Sequence, residues 1–71
     1  MSPNQYRSAK NTLGWSHPRI AEVIGKSERE SYRYAAGVVE IPETVGKLVR
    51  RLVKDRLTLS ERKFNELVST L

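Results

Sequence analysis

Three serine–glycine pairs in the first half of the chain mark short segments, each with a residue that favours a helix start and one that favours a helix end. A serine oxygen can cap the first turn of a helix, and a glycine can end a helix in the left-handed conformation that other residues resist. The pairs are Ser2 with Gly14, Ser16 with Gly25, and Ser27 with Gly37. They predict three helices, of which the last two are separated by only Gly25 and Lys26.

Two of these starts carry a further signal. Gln5 follows Ser2 by three residues and Glu30 follows Ser27 by three, so each pair can form a capping box. Pro3 suits the first position of a helix, which we expect to run to about Leu13.

The second half of the chain predicts two more helices. The fourth starts at Pro42 and carries an apolar stripe at the spacing of one helix face: Val45, Leu48, Val49, Leu52 and Val53. Either Thr58 or Ser60 can cap the fifth, and the sequence does not choose between them. Its apolar side consists of Phe64, Leu67, Val68 and Leu71. The expected fold is an all-α, compact five-helix domain that spans residues 1–71.

Composition narrows the classes of function. The chain has no cysteine and one histidine, which leaves neither disulfides nor an evident metal site. Thirteen Lys and Arg against eight Asp and Glu give a net charge of +5, which favours an anionic partner. No stretch approaches the ~20 apolar residues of a membrane span, and the first residues lack the apolar run of a signal peptide. We expect a cytoplasmic protein without a membrane partner, cofactor or small-molecule ligand, and not an enzyme.

Residues 13–27 and the segments after them resemble the phage repressor-like, Cro-type (XRE-type) helix-turn-helix family of DNA-binding proteins. The matching features are Ser16 as a cap, Ile20 and Ala21 inward, Val23, Ile24 and Gly25 leading into the turn, Ser27 as the next cap, and Gly37 before the last helices. The resemblance covers roughly residues 5 to 55. It implies a lambda repressor-like fold in which helix 3 enters the major groove and helix 2 supports it.

Two positions depart from the family pattern. Lys26 stands where the family usually has an apolar residue, and Ser31 stands at an inward position usually given to Val or Ile. We expect the Ser31 hydroxyl to bond back to a carbonyl one turn earlier. Tyr34, where the family often has a large aromatic residue, can anchor the same helix.

The spacing predicts that Ser31, Tyr34 and Ala35 point inward and that Glu28, Arg29, Tyr32 and Arg33 share the outward face of helix 3. By resemblance to the family's base-reading positions, Glu28, Arg29 and Arg33 read bases, which implies a half-site rich in G and C. Helix capping is an equally open role for Glu28, and it is the favoured one for Glu30. The arginines can also be ordinary solvated surface.

Other residues are candidates for phosphate contacts or for support of helix 3: His17, Arg19, Lys26, Ser27 and Tyr32. The role of His17 follows from the family, which commonly has a glutamine there that touches a phosphate or braces the recognition helix. For His17, as for the others, solvated surface remains an alternative. The basic outer face of the fourth helix is more typical of a solvated face than of a binding site.

Together these features predict a sequence-specific regulator of transcription that binds double-stranded DNA. The family suggests a homodimeric repressor or autorepressor of a phage or mobile element, reading a palindromic operator. Phe64, Leu67, Val68 and Leu71 can form the dimer contact or cover the chain's own core. The alternative function is a protein-interaction module, such as an antitoxin that neutralises a toxin. RNA is a third possible partner, although the aromatic platforms of single-strand readers are missing.

Overall fold

Five helices account for nearly the whole chain, and the predicted all-helical fold is confirmed. The computed structural model describes residues 1–71 and contains no strand. The helices are α1 (Pro3–Leu13), α2 (His17–Ile24), α3 (Glu28–Ala36), α4 (Glu43–Thr58) and α5 (Glu61–Ser69). None of the five combines the length and the apolar character needed to cross a membrane.

Serine side chains cap four of the five helices. The oxygens of Ser2, Ser16, Ser27 and Ser60 each accept a hydrogen bond from the backbone N–H three residues later. Both predicted capping boxes form, so α1 and α3 begin with reciprocal side-chain and backbone bonds. The cap of α5 is therefore Ser60, while the hydroxyl of Thr58 donates to the Lys54 carbonyl, 2.9 Å away, at the end of α4.

A tight glycine turn joins α2 to α3. Gly25 has φ +74°, a left-handed conformation that costs a residue with a Cβ about 1–2 kcal/mol. This conformation lets Lys26 N–H donate to the Ala21 carbonyl at 2.8 Å and Gly25 N–H donate to the Glu22 carbonyl at 3.3 Å. The last carbonyls of α2 are thus satisfied, and Ser27 begins α3 at once.

Helix α4 begins without a side-chain cap, directly after Pro42. Its inner face is held by burial of Val45, Val49 and Leu52. Its outer face carries exposed pairs between residues four apart, including Lys47 with Glu43 at 3.4 Å. Such pairs contribute only a few tenths of a kcal/mol, so packing of the apolar stripe holds this helix.

One apolar cluster takes side chains from all five helices. Tyr6 and Tyr34 meet edge to face in it, with ring centroids 5.7 Å apart, and Trp15 stacks on Phe64 at 5.8 Å. The thirteen buried members are Tyr6, Ala9, Leu13, Ile20, Ile24, Tyr34, Ala35, Ile41, Val45, Val49, Leu52, Phe64 and Val68. The core therefore lies beneath α2 and α3 and holds α3 against α1 and α2 against α4.

The apolar side of α5 is divided between the core and the surface. Phe64 and Val68 are 1% and 6% exposed and belong to the chain's own core, whereas Leu67 and Leu71 are 37% and 66% exposed. Two of the four predicted dimer residues are thus used within the chain, and they cannot contact a second copy while α5 stays packed. Of the four, only Leu67 and Leu71 offer apolar surface to a partner.

Candidate nucleic-acid interface

The outward face of α3 is the candidate interface. Ser31, Tyr34 and Ala35 are all buried on the opposite side of the helix, in the orientation that their spacing predicted. Glu28, Arg29 and Tyr32 are consequently exposed, and Arg33 is half-buried. A shallow, open groove runs along this face and is lined by Glu28, Arg29, Tyr32, Arg33, Ala36 and Val38. Val38, which is 70% exposed, was not among the residues predicted from the sequence.

The two arginines of this face have no carboxylate partner. Four ion pairs form in the chain, and neither Arg29 nor Arg33 takes part in one. Each guanidinium group can therefore offer its forked donors to a ligand without breaking a pair within the chain.

The two glutamates at the start of α3 have different surroundings. The Glu30 carboxylate accepts from the Ser27 backbone N–H at 3.1 Å and from its hydroxyl at 3.2 Å. Those bonds, led by the one from the backbone, hold the pKa of Glu30 below its usual value. Glu28 lies in the same first turn but makes no hydrogen bond or ion pair, and it lines the groove. The capping box thus belongs to Glu30, while Glu28 keeps a free carboxylate beside the arginines.

His17 lies against α3. Its Nδ1 is 2.7 Å from the Ser31 hydroxyl oxygen, and its ring centroid is 4.0 Å from that of Tyr32. Partial burial, followed by the nearby positive charge of Lys10, lowers the pKa of His17, whereas Glu28 acts weakly in the opposite direction. His17 therefore connects the first turn of α2 to both sides of α3.

The Ser31 hydroxyl does not bond back to a carbonyl one turn earlier, and that expectation was wrong. Ser31 is completely buried, and its oxygen lies 2.6 Å from the Tyr6 hydroxyl of α1 as well as beside His17 of α2. These partners satisfy the hydroxyl where a carbonyl bond within α3 would otherwise be needed. One serine side chain thus joins three helices.

A second polar contact ties α1 to the end of α3. The Arg7 guanidinium group donates to the Ala35 carbonyl and also to the Asn4 side chain. It satisfies a carbonyl near the C-terminus of α3, where backbone acceptors lack partners within the helix. The sequence carried no signal for this contact, because the two residues are 28 positions apart and Arg7 reads as surface.

The remaining predicted contact residues lie in α2 and in the turn after it. Arg19 pairs with Glu22 at 3.4 Å, and its guanidinium carbon lies 5.6 Å from the centre of the Trp15 ring. Lys26 is half-buried in the turn without an ion pair, and Ser27 serves as the cap of α3. The structure thus places His17 against α3 and Lys26 and Ser27 at its start, whereas Arg19 pairs within α2.

Nowhere do three or more side chains of His, Asp or Glu come together as metal ligands would. Comparison with known proteins gave no match, whether to family models, to curated proteins or to solved structures.

Proposed function

We propose that this chain is a sequence-specific regulator of transcription that binds double-stranded DNA through the outward face of α3, in the manner of the phage repressor-like, Cro-type helix-turn-helix family. The observation that supports it best is the pair Arg29 and Arg33, two cations without carboxylate partners on a solvent-facing helix. That helix follows α2 across a turn short enough for both to approach one groove.

The dimensions of α3 fit the major groove. An α-helix with its side chains is about 10–12 Å across, and the major groove of B-form DNA is about 12 Å wide. In this position Arg29 and Arg33 donate in bidentate fashion to O6 and N7 of guanine, and Glu28 accepts from the amino group of cytosine. The half-site is accordingly rich in G and C.

Residues around the turn position the chain on the DNA backbone. Lys26 and Arg19 supply positive charge, and Ser27 and Tyr32 supply hydroxyl groups to phosphates on either side of the groove. The net charge of +5 adds a sequence-independent attraction that salt weakens.

One short helix contacts few base pairs, so we propose that two copies bind a palindromic operator with half-site centres about 34–36 Å apart. Leu67 and Leu71 are the exposed apolar residues of α5 available for contact between copies, together with Leu57, which is 72% exposed. The dimer acts in the cytoplasm as a repressor or autorepressor, with occupancy set by protein concentration. No catalytic step and no cofactor is part of this function.

Selection from random duplexes, followed by fluorescence anisotropy on the selected sequence, tests the proposal. We expect a two-fold symmetric consensus and an affinity that falls steeply with salt. Arg33→Ala should lose about 1–3 kcal/mol of binding free energy, concentrated at particular base pairs. Arg62→Ala is the matched control, because it removes the same charge from an exposed ion pair on α5 and should have little effect.

A protein-interaction module is the second candidate, favoured by three exposed apolar side chains. Val38, Leu57 and Leu71 are each at least 66% exposed. If no duplex is enriched, and binding at low salt is equally weak for all sequences and for Arg33→Ala and Arg62→Ala, the DNA-binding function is rejected in favour of a protein partner.

A further inference from the structure

Three residues on three helices form a continuous chain of hydrogen bonds beneath the α3 face. Tyr6 of α1, Ser31 of α3 and His17 of α2 are joined by oxygen–oxygen and oxygen–nitrogen distances of 2.6 and 2.7 Å. Tyr6 and Ser31 are completely buried, so water cannot replace either of their bonds. His17 is partly exposed, and a histidine is the one side chain here that ordinarily gains a proton near neutral pH.

The available partners determine which group donates and which accepts in each of these hydrogen bonds. The Tyr6 hydroxyl has no hydrogen-bond partner besides Ser31, so its proton finds an acceptor only if Tyr6 donates to the Ser31 oxygen. The Ser31 proton then goes to Nδ1 of His17, which must be unprotonated to accept it. With His17 neutral, both buried hydroxyl protons are satisfied.

Protonation of His17 removes an acceptor from this hydrogen-bond chain. The cationic ring donates from Nδ1 to the Ser31 oxygen, whose two lone pairs accept from His17 and Tyr6 together. The Ser31 proton then lies in the core without an acceptor, which is unfavourable. The strain is relieved if α3 shifts relative to α1 or α2, and either shift moves the arginine face.

We propose that Tyr6, Ser31 and His17 are positioning residues which hold α3 in its DNA-binding orientation only while His17 is neutral. This inference rests on the proposed function and adds to it a dependence on pH. The ionisable groups that face His17 are Lys10 of α1 and Glu28 of α3, with opposite effects on the cation, and Tyr32 covers its ring. Burial and Lys10 outweigh Glu28, since the pKa of His17 is lowered.

The sign of the pH effect separates this role from simple electrostatics. A histidine that merely touched DNA phosphates would bind more tightly as a cation, so affinity would rise in acid. The positioning role requires the reverse: affinity should fall as the pH is lowered from about 7.5 through the depressed pKa of His17, by roughly five- to tenfold once the ring is protonated, the effect of one buried hydrogen bond. By linkage, DNA should lower the pKa of His17 further.

The experiment measures anisotropy of the selected duplex at constant ionic strength over this pH range, beside an NMR titration of the single histidine. The variant His17→Asn keeps an acceptor at the position of Nδ1 but does not titrate. Whatever its affinity near pH 7.5, that affinity should not change with pH over this range. Ser31→Ala removes the hydroxyl whose proton needs Nδ1 as its acceptor, so the His17 pKa should rise and the pH dependence should shrink. Tyr34→Phe is the control, because it removes a tyrosine hydroxyl that lies near Glu30 and does not belong to this hydrogen-bond chain, and it should retain both wild-type properties.

The inference is overturned if wild-type binding strengthens in acid, if His17→Asn keeps the wild-type pH profile, or if Ser31→Ala leaves the His17 pKa unchanged. Absence of binding to any duplex near pH 7.5 instead rejects the proposed function itself. Binding near pH 7.5 with the opposite pH dependence rejects only the positioning role.

Discussion

Replacement of Ser31 by alanine removes the one hydroxyl that joins α1, α2 and α3. The Tyr6 hydroxyl is completely buried and loses its only partner, which costs about 1–3 kcal/mol. His17 is partly exposed, so water replaces its lost bond at a cost of about 0.5 kcal/mol. The higher helix propensity of alanine returns about 0.5 kcal/mol. We therefore expect Ser31→Ala to lower the free energy of unfolding by about 2 kcal/mol and the Tm by about 8–16 °C.

Urea unfolding followed by far-UV circular dichroism near pH 7.5 measures this loss. A double-mutant cycle with Tyr6→Phe identifies its source. In the double variant no tyrosine hydroxyl remains to be left unsatisfied, so the combined loss should be smaller than the sum of the single losses by about 1 kcal/mol. If the two single losses of unfolding free energy simply add, or if Ser31→Ala loses less than about 0.5 kcal/mol, the Ser31 hydroxyl does not connect the three helices as described.

Three further predictions concern the turn, the core and the cap. Gly25→Ala should cost about 1–2 kcal/mol from its positive φ alone, since nothing lies within 4 Å of the added Cβ, whereas Gly37→Ala should cost more because a proline side chain lies 3.2 Å from its Cβ. Equal Tm losses would contradict this difference. Phe64→Ala should cost about 3–5 kcal/mol and Leu67→Ala under about 1, and comparable losses in urea unfolding would show that α5 packs differently. The lowered pKa of Glu30 means that its stabilising effect is present above pH 4.5 and is lost as the pH falls through the lower folded-state value. Glu30→Gln should therefore lose stability less steeply in acid, and an unchanged slope would argue against the capping role.

The helix limits could be predicted because their causes are local. A serine oxygen reaches a backbone N–H three residues away, and a left-handed glycine closes the helix that precedes it. The outward direction of Arg29 and Arg33 followed from the same periodicity. Neither inference required knowledge of how the helices pack.

The side-chain contacts between helices could not be predicted from local sequence patterns. The partners of Ser31 lie 25 and 14 positions earlier in the chain, and a serine on an inward face equally suits a bond within its own helix. The apolar stripe of α5 likewise fits a core or a dimer, and the docking angle of that helix decides which of its side chains are covered. The choice of Ser60 over Thr58 as the cap depended on where α4 ends.

Trp15 is the only tryptophan, and its ring stacks on Phe64 where the last helix meets the link between α1 and α2. Its emission therefore reports detachment of the C-terminal helix, while circular dichroism reports loss of helix throughout the chain. If the two signals change at the same urea concentration, the molecule unfolds as one cooperative unit. If the emission changes first, the C-terminal helix leaves before the remainder, and Phe64 and Val68 then become available to a neighbouring copy in a crowded solution.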